Sequence, residues 1–92
     1  MNEDKLNKVK EKYYMTEQSN QVWKMICNQY EKTGRLENQV KIPQELKDFK
    51  EEIARELIEK ELIRKYDFYG KQYINCELTF KGVEKFKSEK GV

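Results

Sequence analysis

The stretch from Leu57 to Phe86 constrains the fold most, because it divides into a helix end, a hairpin and a short helix with almost nothing left over. Leu57, Ile58 and Leu62 recur at helical spacing while Glu59, Lys60 and Glu61 fill the wet face, so the stretch opens on the end of a helix. Two arms rich in β-branched and aromatic residues follow and meet at Tyr69-Gly70, where Gly70 supplies the positive φ of a tight turn. A turn centred there predicts Ile63 opposite Cys76 and Lys65 opposite Ile74. On the other face it puts Arg64 across from Asn75, Tyr66 from Tyr73, and Phe68 from Lys71. One face of the hairpin is then largely apolar at its base, and the other carries cations, an amide and aromatics. Leu78-Thr79 leads into a short amphipathic helix through Phe80, Val83 and Phe86, with Thr79 as its N-cap.

Upstream, Thr16, with Ser19 as a rival, caps a helix whose apolar stripe is Val22, Trp23, Met25, Ile26, Cys27 and Tyr30. Gly34 supplies the left-handed residue that ends it. Val40 and Ile42 alternate with Gln39 and Lys41, which predicts a strand within Leu36 to Ile42, and Pro43 fits the first position of the next helix. From Gln44 to Glu61 the residues Leu46, Phe49, Ile53 and Leu57 form one stripe without a change of phase. Nothing between Asp48 and Ile53 is Gly, Pro, Ser, Thr or Asn, so any turn is cryptic near Phe49-Lys50, or two helices are nearly fused. Residues 2–14 read as a further helix, with Leu6, Val9 and Tyr13 on one side and Lys5, Lys8 and Lys12 beside them. Packing on the domain, pairing with a second subunit and lying along phosphates are all open to it. The chain divides into an N-terminal helix or arm, 1–15, and one domain, 16–92.

A helix ending in Leu62-Ile63, a basic aromatic hairpin with its tip at Tyr69-Gly70, then Leu78-Thr79 and a helix containing Gly82 resembles the second half of a winged helix-turn-helix DNA-binding domain. Glu61 departs from that family, which often has Gly before the Leu-Ile pair. The resemblance implies an α+β winged helix-turn-helix: a helical core, a small antiparallel sheet in which the first strand pairs with a β-hairpin wing, and here an extra N-terminal helix. It also implies that the helix before the wing enters the major groove with its N-terminal residues on base edges.

Charge argues against that helix as the main reader. The 19 basic and 17 acidic residues leave a net charge of only +2, so a nucleic-acid surface must come from local segregation. The helix before the wing would present Glu51, Glu52 and Glu56 beside Lys50 and Arg55, and a carboxylate near a phosphate costs Coulomb energy and releases no counterion. The wing has the opposite chemistry. Arg64 can fork onto guanine or phosphate, Asn75 and Gln72 can pair with adenine, and Lys65 and Lys71 can contact phosphates. Tyr66, Tyr69 and Tyr73 add hydroxyls and flat apolar faces. The expectation is double-stranded DNA binding centred on the wing, with Lys41, Lys47 and Lys50 steadying the backbone. The competing expectation is that these cross-strand pairs only stabilise an exposed hairpin. Three wing cations bind weakly alone, so specific binding calls for a homodimer or repeated sites.

Catalysis is not expected. The chain has no His, no Gly-rich phosphate loop and no metal-ligand spacing, so neither cofactor nor metal is implied. No apolar run approaches the ~18 residues of a membrane span, and the start Met1-Asn2-Glu3-Asp4 is too polar for a signal peptide, which suggests a cytoplasmic protein without a membrane partner. Cys27 and Cys76 stand alone and read as reduced core thiols. High Lys, Glu, Asn, Ile and Tyr contents look like those of a low-GC bacterial, plasmid or phage protein. Size and composition are similar to the small winged-helix relaxosome components that mark an origin of transfer in conjugation, so an accessory role in a DNA-processing complex of a mobile element is one expectation. A small transcriptional regulator and a protein-interaction module on the same scaffold are the alternatives.

Overall fold

A computed structural model of the chain describes residues 15–90; the helix expected over 2–14 lies outside the described residues. Helix α1 spans Glu17–Thr33. Thr16 caps it by accepting from the Ser19 amide at 3.3 Å. Gly34, at φ 69°, closes it by donating its amide to the Tyr30 carbonyl at 2.7 Å. Val22, Trp23, Ile26 and Cys27 form the buried stripe, while Met25 and Tyr30 are half-buried at its margin.

Strand β1, Glu37–Lys41, alternates as the sequence predicts, with Asn38 and Val40 inward and Glu37, Gln39 and Lys41 outward. Asn38 is polar and buried, and is satisfied by the Thr33 hydroxyl at 2.8 Å and the Arg35 carbonyl at 2.7 Å. Pro43 precedes a 3-10 helix, Gln44–Phe49, and sits one residue outside the position expected for it. Phe49, at φ −105° and ψ 7°, is the last residue of that 3-10 helix and the N-cap of α2, Lys50–Glu59. The break therefore falls at Phe49-Lys50, where the two helices abut without an intervening loop. Leu46, Ile53 and Leu57 are buried on the two sides of it, and Phe49 itself stays exposed at the junction.

The end of α2 differs from the expected helix through Leu62. Glu61 adopts φ 60°, its amide donates to the Ile58 carbonyl at 2.9 Å, and the Leu62 amide donates to the Leu57 carbonyl at 3.0 Å. These two bonds make a Schellman ending, which usually places Gly where this chain has Glu61. Leu57 and Leu62 are the buried apolar pair that accompanies it.

Strands β2, Ile63–Tyr69, and β3, Tyr73–Leu78, complete an antiparallel sheet of order β1-β3-β2. Helix α3, Phe80–Lys90, is capped by Thr79, whose hydroxyl accepts from the Gly82 amide at 2.9 Å and donates to the Glu61 carbonyl at 2.5 Å. Gly82 fits because it has no side chain: a Cβ there would stand 2.3 Å from the Leu62 carbonyl oxygen. Tyr30 and Phe86 meet edge to face at 5.8 Å, joining α3 to α1, and the Trp23 indole donates to Glu89 at 3.0 Å. Burial pushes the Glu89 carboxyl up, but hydrogen bonds from Lys85 and Trp23 outweigh it and hold the group below its usual range.

The core joins Trp23 and Ile26 of α1 to Val40 and Ile42, to Ile53, Ala54 and Leu57 of α2, and to Ile63, Ile74 and Leu78 of the sheet. Cys27 and Cys76 are free thiols within it, and burial pushes both up to about 12. No helix among the described residues is long and apolar enough to cross a membrane.

Candidate nucleic-acid interface

The hairpin forms where it is expected, but its register does not. Tyr66 stands opposite Cys76, Asp67 opposite Asn75, Phe68 opposite Ile74, and Tyr69 opposite Tyr73. The expected partners Arg64 with Asn75, Tyr66 with Tyr73, and Phe68 with Lys71 are therefore not made, nor are Ile63 with Cys76 and Lys65 with Ile74. Two local features shift the ladder. The loop is Gly70-Lys71-Gln72, closed by Tyr69 and Tyr73, with Gly70 at φ 66°. A bulge at Arg64 then lets Ile63 pair with Leu78 and Lys65 with Glu77.

Because side chains alternate along each strand, this register distributes the candidate residues over two faces. Tyr66 and Phe68 lie on the same face as Ile74 and Cys76, their rings 5.5 Å apart, with Phe68 packed against the core and Tyr66 still 38% exposed. Lys65, Tyr69, Tyr73 and Asn75 lie on the outer face, joined there by Lys41, which pairs with Tyr73 across the β1–β3 ladder. Lys71 and Gln72 are in the loop. Lys47 lies on the 3-10 turn beside Asp48 and, with Lys50 and Arg55, shares a shallow groove with Glu51 and Glu52.

The electrostatics separate the base of the hairpin from its tip. At the base, the Arg64 guanidinium lies 3.2 Å from Glu77, and the Lys65 ammonium lies 3.4 Å from Glu37 and 3.8 Å from Glu77. The bulge makes this possible, since it puts two successive cations within reach of one carboxylate. At the tip the cations have no such partners. Lys41, Lys50 and Lys71 lie outside every ion pair among the described residues. Lys50 begins α2 directly under the loop, 4.9 Å over the Phe68 ring and donating to the Lys71 carbonyl at 3.3 Å.

Gln72 is held rather than available. Its side-chain amide donates to the Ile42 carbonyl at 3.2 Å, and its own carbonyl accepts from the Ile42 amide at 2.5 Å. Tyr69 and Tyr73 are the reverse: they are 68% and 39% exposed, and neither ring nor hydroxyl is engaged by another side chain among the described residues. The expected list also omitted Gln39, which faces outward beside Asn75 and was readable from the alternation of β1. Among the described residues no group of three or more His, Cys, Asp or Glu side chains is gathered to hold a metal ion.

Searches against protein-family models, curated proteins and solved structures find no significant match to this chain.

Proposed function

We propose that this chain binds double-stranded DNA through the tip of its hairpin, used as the wing of a winged-helix scaffold. The observation that carries the reading is the placing of Lys41, Lys50 and Lys71, from three different elements, at the loop end of the sheet outside every ion pair among the described residues. Lys41 and Lys71, with Lys50 held beneath the loop, give that end of the sheet three ammonium groups outside any ion pair, which suits the phosphates of a duplex. Further support comes from the order helix, strand, helical turn, helix, hairpin, helix, and from the pairing of the first strand with the returning arm. Arg64 and Lys65, paired with Glu37 and Glu77, serve the sheet first and DNA second. The acidic residues Glu51, Glu52 and Glu59 keep the exposed face of α2 from lying against a duplex.

A binder with so few contacts acts as a homodimer or on repeated sites, in the manner of an accessory protein of a mobile element or a small regulator within the cytoplasm. A protein-interaction module is the second reading, favoured by Phe80, which is 84% exposed at the start of α3 beside Leu36.

Selection of duplexes from a random pool, then titration of the winner over a range of salt, tests the reading. Affinity should fall linearly in log-log form with salt, and the Lys41→Ala, Lys50→Ala, Lys71→Ala triple variant should reduce the slope by about 2–3. Indifference to every duplex at low salt would transfer the function to the protein-interaction module.

A further inference from the structure

We infer that the outer face of the hairpin tip stacks unpaired bases, so that the preferred ligand is DNA in which a duplex runs into a single strand. The inference rests on the DNA-binding reading and narrows it to a class of substrate. Tyr69 and Tyr73 are direct cross-strand partners, and Lys41 extends the same row onto β1. Neighbouring strands lie about 4.8 Å apart, so the two tyrosines leave the same face from adjacent positions, within reach of successive unstacked bases. Neither ring is covered by another ring or cation, and neither hydroxyl is committed to the protein.

What surrounds the pair identifies the occupant. Lys41 flanks it on the β1 side and Lys71 lies in the loop beyond it, both without carboxylate partners, which suits a phosphate backbone running past the rings. The next row toward the base holds Gln39 and Asn75, whose amides offer both donors and acceptors to base edges. In that row Asp67 stands opposite Asn75 on β2 and repels phosphate, so the backbone path is confined to the tip. A flat apolar face with hydroxyls, amides and ammonium groups fits a nucleobase strand, because stacking needs only a π-face and every base has one. Within a closed duplex those faces are occupied by neighbouring base pairs, so the rings gain their stacking contact only where the strands part.

Binding of two fluorescently labelled probes tests this: a blunt duplex, and the same duplex with a single-stranded thymidine tail. The quantity read is the ratio of the two affinities at fixed salt. Wild type should favour the tailed probe by about fivefold or more. Tyr69→Ala and Tyr73→Ala should each bring the ratio towards one, and Tyr69→Phe, which keeps the ring, should preserve it. Circular dichroism of each variant guards against loss of fold. A wild-type ratio near one, or a ratio that survives both alanine substitutions, overturns the inference. If blunt duplex is still bound in a salt-dependent way in that case, the broader reading stands. If neither probe binds, both fall.

Discussion

The base and the tip of one hairpin use the same residue types for opposite ends. At the base, Arg64 and Lys65 close onto Glu77 and Glu37, Thr79 ties the return strand to Glu61, and Gly82 lets α3 press against the Leu62 carbonyl. At the tip, Lys41, Lys50 and Lys71 carry the same charge without a carboxylate, and Tyr69 and Tyr73 face solvent. A count of cations along the hairpin would rank the base first, with two against one. The ion pairs reverse that ranking: exposed pairs contribute only about 0–1 kcal/mol to stability, yet they cancel the local field that attracts a phosphate.

The contrast predicts effects of descending size. The largest belongs to the base. Gly82→Ala should destabilise the protein by about 1–3 kcal/mol, because the added methyl meets backbone oxygen at 2.3 Å, and that overpacking outweighs the ~0.5–1 kcal/mol that Ala gains over Gly within a helix. Thermal unfolding measures it, at several degrees per kcal/mol for a domain of this size. A neutral Gly82→Ala would mean that α3 can slide away from Leu62. Next comes charge removal at each end. Lys71→Ala should weaken duplex binding several-fold and lower the salt slope by about 1, while Lys65→Ala, which frees Glu37 and Glu77 of one cation, should leave the slope nearly unchanged. Equal effects would erase the distinction between base and tip. The smallest is a gain: Glu61→Gly should stabilise by about 0.5–1 kcal/mol, since the left-handed residue is relieved while the mostly exposed Glu61–Lys81 pair contributes little. Chemical denaturation would show it as a higher midpoint at unchanged slope.

The two ends of α1 and the start of α3 were legible in the sequence because their signals act within a few residues. Thr16, Gly34 and Thr79 each work through their own side chain or φ on a neighbouring turn, and the alternation of Val40 and Ile42 needs only the pleat of one strand. The α+β class and the position of the hairpin follow from such signals. The register was not legible, because Gly70 marks a turn without stating its length. A loop ending at Tyr73 and a bulge at Arg64 together move Tyr66 and Phe68 to the face of Ile74 and Cys76. The pairing of Arg64 and Lys65 was hidden for a different reason. Glu37 is distant in the chain and reaches Lys65 only after β1 has docked on β3. The positive φ of Glu61 was hidden as well, because a left-handed residue other than Gly or Asn carries no local sequence signal.

The pair of hydrogen bonds between Gln72 and Ile42 has a mechanical meaning. It clasps the loop to the end of β1, so the tip is the free end of a three-stranded beam and not of a two-stranded ribbon. A sideways load at Tyr69 or Lys71 is shared by both ladders, because β3 lies between β2 and β1. A stiff tip would lose little freedom on contact with the proposed ligand. Gln72→Ala would soften that beam without removing a charge or an exposed ring.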